Sequence, residues 1–110
     1  MFRNIIRRVM LKLIKDDEKR ILDLDAEEGS AMRLMATTLG HLLEIGASQE
    51  KQDKVLAQMK SGDYAWLVGW FDYYFGSLYE IRTTNQELYD ECVSGSEIIH
   101  QMNKRRRIYA

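Results

Sequence analysis

The chain has 110 residues, of which 45% are hydrophobic and 30% are charged. These values match those of ordinary globular proteins and exclude a disordered or fibrous chain, and the length corresponds to one domain. The chain contains no proline, which favours uninterrupted helices over a turn-rich β-sandwich. We therefore expect residues 1–110 to form a single all-α domain, a compact bundle of four to six helices around a central helix rich in aromatic residues.

Cysteine and histidine are scarce in this sequence. The single cysteine, Cys92, excludes an intramolecular disulfide, and one thiol with two histidines provides too few ligands for a closed zinc site. The N-terminal region lacks the long apolar stretch of a secretory signal. We therefore expect a protein of the reducing cytoplasm that needs no metal or other cofactor, with Cys92 as a small residue of the core.

The net charge of −1 conceals a strong asymmetry along the chain. Residues 1–15 carry a charge of +5 and residues 98–110 carry +4, whereas residues 16–97 contain all 17 acidic residues and sum to −10. Such basic ends suit an anionic partner, either a nucleic acid or a membrane surface, but also ends that fold back on the acidic body or head-to-tail contacts between subunits. The residues considered for an anionic partner are Arg3, Arg7, Arg8, Lys12, Lys104, Arg105, Arg106 and Arg107.

Helical periodicity dominates the N-terminal half of the chain. The apolar residues between positions 2 and 14 form one sector of a helical wheel, opposite the basic residues, which predicts a basic amphipathic helix that ends near Lys15. A second apolar pattern runs from Ile21 to Ile45 with an interruption at residues 28–30, so it predicts either two helices or one kinked helix. Ser30 is a candidate N-cap, and Gly46 is well placed just after the helix end.

The middle of the chain predicts a surface helix followed by a core helix. A polar helix over about residues 49–60 has Val55, Leu56 and Met59 as its apolar anchors. Asp63 then caps a helix over residues 64–81 that contains eight of the 11 aromatic residues. A membrane span over this stretch is disfavoured because Asp72 would be costly in the bilayer.

A last helix is predicted from about residue 85 to 106, with Thr84 and Glu87 at the spacing of a capping box. Glu97 and His100 have the i, i+3 spacing used in di-iron bundles, but no second pair of this kind occurs, so an ordinary surface role is the preferred interpretation. No phosphate-binding loop or known catalytic motif is present. We therefore expect a protein that is not an enzyme.

One narrow face of the aromatic helix combines small and charged residues with flanking aromatic rings. Three interpretations remain open: an exposed strip on a core helix, a contact with a crossing helix near Gly95, or a groove that accepts a cation from a partner. For the last two we expect Gly69→Ala to be tolerated and Gly69→Leu to disrupt the contact. The candidate partner-binding residues are Trp66, Gly69, Asp72, Tyr73, Gly76 and Glu80.

These observations predict a non-enzymatic protein–protein interaction module, such as a regulator, inhibitor or assembly factor, that docks on a partner protein and self-associates. The absence of a catalytic motif and the abundance of Met, Tyr and Trp favour this hypothesis. One alternative is a nucleic-acid-binding protein that uses the two basic ends. The other is a peripheral membrane protein anchored by residues 1–15.

Overall fold

Four α-helices and two short strands make up the computed structural model, which describes the backbone of residues 19–109 and the side chains of residues 19–104. The helix predicted over residues 2–14 lies outside the described residues. The elements in chain order are strand β1 (Arg20–Asp23), a 3-10 turn (Glu27–Gly29), helix α1 (Ala31–Glu44), helix α2 (Gln49–Met59), helix α3 (Tyr64–Phe75), strand β2 (Tyr79–Arg82) and helix α4 (Gln86–Tyr109).

The predicted helix boundaries are confirmed where a cap defines them. The side chains of Ser30, Ser48 and Asp63 each accept a hydrogen bond from the backbone N–H three residues further on, at the start of α1, α2 and α3. Gly46 follows α1 with φ at 71°, the left-handed region that favours glycine. Its N–H donates to the carbonyl of Leu43 and thereby closes the end of α1.

The all-α class is wrong in one respect, because β1 and β2 form a small parallel sheet. Arg20 lies opposite Tyr79 and Asp23 lies opposite Arg82. Residues 21–24 were expected to start a helix, and residues 79–81 to end one. Each segment is only four residues long, so its own pattern does not distinguish a helix from a strand. Hydrogen bonds between segments nearly 60 residues apart stabilise the extended conformation.

Helix α3 is the centre of the fold, as the aromatic content predicts. Seven of its twelve residues are buried, and it packs against α1, α2, α4 and β2. Val55 and Met59 of α2 are completely buried, so the polar helix is anchored as predicted. The mostly helical, compact core is therefore confirmed. The side chains that are fully buried are Leu34, Thr38, Val55, Met59, Val68, Phe71 and Ile99.

The start of α4 differs from the predicted capping box. Asn85 is the residue whose side chain accepts a hydrogen bond from the N–H of Leu88, at 3.1 Å. The hydroxyl of Thr84 instead donates to Asp25, which follows β1. Because the Thr84 hydroxyl makes this tertiary contact, the neighbouring Asn85 supplies the cap of α4. The helix continues to Tyr109, three residues beyond the predicted end.

Candidate functional site

The narrow face of the aromatic helix is covered by α4. Gly69 is buried, and a Cβ atom added to it would lie 3.1 Å from the backbone nitrogen of Ser96 and 3.2 Å from the carbonyl carbon of Gly95. The hydroxyl of Ser96 donates a 2.8 Å hydrogen bond to the carboxylate of Asp72. The structure therefore shows the crossing helix near Gly95, and Gly69 is closed to a second molecule.

The other residues of the predicted partner-binding set do not all lie on α3. Glu80 belongs to β2, because α3 ends at Phe75, and its carboxylate pairs with the Arg82 guanidinium at 2.9 Å. Trp66 is half-buried and donates its indole N–H to Ser61. The helical face drawn through Glu80 is therefore wrong, since the chain turns at Gly76 before Glu80 is reached.

Two further residues of that set are half-buried against their neighbours. The ring of Tyr73 lies edge-on to His100 of α4, with centroids 4.8 Å apart. Gly76 follows the last turn of α3, and its carbonyl accepts a hydrogen bond from the Lys19 ammonium. Both residues therefore connect elements of the fold.

Of the residues predicted to bind an anionic partner, only Lys104 has a side chain among those that the structure describes. Lys104 is exposed on α4. The side chains of Arg105, Arg106 and Arg107 lie outside the described set, although their backbone is helical. Arg3, Arg7, Arg8 and Lys12 also lie outside it. The described side chains include fourteen acidic and eight basic residues, so this part of the surface has a net charge of −6.

A groove of about 550 Å³ lies beside the two strands, where the sequence predicted no site. It is formed by the outer side of the sheet, the segments that follow the two strands, and the first turn of α4. We call it the sheet groove. Its lining residues are Ile21, Asp23, Asp25, Ile81, Arg82, Thr83, Thr84, Gln86 and Tyr89.

Two exposed side chains give the sheet groove its apolar surface. Ile21 is 49% exposed and Tyr89 is 39% exposed, whereas Ile81 lies opposite Leu22 in the sheet and packs against the core. Leu22, the next residue after Ile21, is only 4% exposed, because successive side chains of a strand point to opposite faces. One face of the sheet is therefore packed on the core, and the other presents Ile21 to the groove.

Asp25 connects the carboxyl ends of the two strands. Its carboxylate accepts 2.7 Å hydrogen bonds from the Thr83 hydroxyl, the Thr84 hydroxyl and the Thr84 N–H. The Thr83 hydroxyl, followed by the two Thr84 donors, holds the pKa of Asp25 below its ordinary value of 3.8. At neutral pH the ionised Asp25 therefore holds the segment from which α4 begins.

Acidic groups outnumber basic groups around the sheet groove. Asp23 and Asp25 line it, and Asp90 lies next to it and accepts a hydrogen bond from the Gln86 amide. Among the described residues that line it, Arg82 is the one basic residue, and its guanidinium is paired with the Glu80 carboxylate. The groove therefore combines an apolar floor with an acidic rim, a chemistry that suits a basic amphipathic ligand.

A second polar cluster lies between α1 and β2. The Nε2 atom of His41 is 2.6 Å from the Tyr79 hydroxyl, and its Nδ1 atom is 3.7 Å from a carboxylate oxygen of Glu44. The imidazole also packs against Phe75, with ring centroids 5.0 Å apart. Tyr79 is 9% exposed. The cluster therefore joins α1 to β2.

Other predicted alternatives concern a metal and the membrane. Among residues 19–104 there is no group of three or more His, Cys, Asp or Glu side chains placed to hold a metal ion. Glu97 and His100 are both exposed on α4. Within the described part of the chain, no helix is both long enough and apolar enough to cross a membrane.

The chain was compared with protein-family models, with curated protein sequences and with solved structures, and no match was found.

Proposed function

We propose that this chain is a small non-enzymatic protein–protein interaction module, a regulator, inhibitor or assembly factor, that docks on a partner protein through the sheet groove. The observation that carries the proposal is the combination of exposed Ile21 and Tyr89 with an acidic rim in one groove. Exposed apolar side chains enclosed by polar groups are typical of protein-binding surfaces. The partner is expected to present a basic segment with apolar side chains.

A pair of matched substitutions, one inside the groove and one outside it, tests this proposal. Ile21→Glu places a charge on the groove floor, and Met32→Glu places the same charge on α1, where Met32 is 78% exposed and outside the groove. Loss of one buried isoleucine contact, about 1.5–3 kcal/mol, corresponds to a roughly ten- to hundredfold loss of affinity. We expect proteins captured from the native host by the wild type to be lost with Ile21→Glu and retained with Met32→Glu.

Circular dichroism of both variants shows whether they remain folded. Equal capture by the wild type and a folded Ile21→Glu variant would contradict docking through the groove. Equal loss with both variants would contradict it as well, because the effect would then not depend on the groove.

A second candidate function is nucleic-acid binding through the basic ends, favoured by the charges of +5 and +4 in residues 1–15 and 98–110. A peripheral attachment of residues 1–15 to an anionic membrane rests on the same charges. Binding of nucleic acid by these ends would weaken steeply with salt, because neutralised phosphates release their counterions. In a gel-shift experiment, the change of Arg105, Arg106 and Arg107 to Glu would abolish the shift.

A further inference from the structure

The outer face of the sheet lacks a covering layer among the described residues. Parallel sheets occur almost only where both faces are packed against other elements. In this protein the inner face is packed, since Leu22 is buried and the ring of Tyr79 lies 5.2 Å from that of Phe71. On the outer face, Ile21 keeps 49% of its surface exposed. Ile21 is therefore the apolar residue of an outer face whose other described residues, Asp23, Glu80 and Arg82, are charged.

The first 15 residues have the chemistry that the sheet groove requires. They contain five basic residues and no acidic residue. Opposite these charges on a helical wheel lies a continuous apolar sector, which fits the exposed apolar side chains of Ile21 and Tyr89. The basic side chains would then meet the acidic rim at Asp23 and Asp90. The apolar sector consists of Phe2, Ile5, Ile6, Val9, Met10 and Leu13.

The position of this segment in the chain places it next to the groove. Residues 16–19 alone separate it from β1, which begins at Arg20 and carries Ile21 on its outer face. Connections of two to six residues are the usual ones between a helix and the strand on which it packs. Four residues span up to about 14 Å. This length is sufficient for the chain to reverse and cross the sheet.

We propose that residues 2–15 occupy the sheet groove of their own molecule, as an intramolecular ligand that a partner has to displace. The displacement by a partner rests on the proposed function. The occupation of the groove by residues 2–15 does not, because it follows from the uncovered sheet face, the charge pattern and the short connection.

A nitroxide spin label on the full-length chain tests this contact. Lys12→Cys carries the label in the N-terminal segment, while the native Cys92 is only 4% exposed and remains unlabelled. Lys54→Cys carries it in the control, because Lys54 is exposed on α2. We expect the label at position 12 to broaden the amide signals of Thr84 and Tyr89 by severalfold, and the label at position 54 to leave them sharp.

The same label shows whether the contact forms within one molecule or between two molecules. An equimolar mixture of spin-labelled protein without ¹⁵N and unlabelled protein with ¹⁵N reports only contacts between molecules. Sharp groove signals in this mixture support the intramolecular contact, whereas broadening in the mixture would show that the segment of a second copy fills the groove and would overturn the proposal.

Two substitutions complete the test. Ile21→Glu in the Lys12→Cys chain should abolish the broadening at Thr84 and Tyr89, and Met32→Glu should preserve it. Dispersed amide spectra show that both variants are folded. Groove signals that are equally sharp with either label would overturn the intramolecular contact. Docking of a partner protein on the groove would be unaffected by that result, because it is measured separately by the capture experiment.

Discussion

The two glycines that meet between α3 and α4 differ in the space that surrounds them. A Cβ atom on Gly69 would lie 3.1 Å from the Ser96 nitrogen, which is backbone and so moves only with the whole helix. A Cβ atom on Gly95 would lie 3.6 Å from the Trp66 ring, an ordinary van der Waals distance. Close packing of the helices therefore depends on Gly69 and not on Gly95.

Alanine at these positions is expected to act in opposite directions. Overpacking costs about 1–3 kcal/mol, and the helical preference of alanine over glycine offsets about 1 kcal/mol of it. Gly69→Ala should therefore lower the free energy of unfolding by up to about 2 kcal/mol, in contrast to the tolerance expected from the sequence. Gly95→Ala should raise it by about 0.5–1 kcal/mol. Urea denaturation measures both, and a stabilised Gly69→Ala variant would disprove the close crossing.

Cys92 is expected to resist alkylation in the folded protein. It is 4% exposed, and burial, assisted by the carboxylate of Glu91, raises the pKa of its thiol to about 11. The thiolate is the reactive form, and a thiol with a pKa of about 11 is almost entirely protonated at pH 8. Reaction with iodoacetamide, followed by mass spectrometry, should be slow in buffer and rapid in guanidinium chloride. Equal rates in the two solutions would show that the thiol is accessible.

Among the structural elements, the junction of β1, β2 and α4 is held by a single ionised carboxylate. Asp25 accepts three hydrogen bonds from Thr83 and Thr84, and these lower its pKa below 3.8. A lowered pKa stabilises the folded state at pH values above the unfolded pKa, and the contribution is lost as the pH falls through the folded pKa. The stabilisation by Asp25 should therefore be constant near neutral pH.

Asp25→Asn is expected to lower the melting temperature at pH 7, because the amide replaces a charged acceptor of three hydrogen bonds. The difference between the wild type and the variant should shrink as the pH falls below about 4 and vanish in strong acid. Thermal melts between pH 2 and pH 8 measure it. A difference that stays the same at every pH would exclude the ionised carboxylate as the cause.

For the whole molecule, the exposed apolar surface supports the expectation of self-association. Leu43 and Ile98 are both more than half exposed. A chain of this size buries a smaller fraction of its surface than a larger domain does, so association offers a further way to cover such side chains. Light scattering at high micromolar concentration should therefore give a mass above 12.9 kDa. A mass of 12.9 kDa at every concentration would contradict the expected self-association.

The amino-acid sequence by itself determined the helices that have long patterns and clear caps. Ser48 and Asp63 cap helices of 11 and 12 residues, so α2 and the start of α3 follow from local chemistry alone. The central place of α3 follows as well, since a helix so rich in aromatic residues has to be buried. The burial of Cys92 was also correctly expected, because this residue lies in the apolar stripe of α4.

Only the tertiary structure decided where the strands lie and where a ligand can bind. Residues 20–23 and 79–82 are too short to reveal a period, and their conformation depends on hydrogen bonds to each other across the chain. Asp25 and Thr84 meet because the two strands run in the same direction and end at the same edge. Contacts between residues so far apart in sequence leave no local pattern. The sequence alone therefore left open whether Gly69 lies on a binding face or against another helix, and it did not predict the sheet groove.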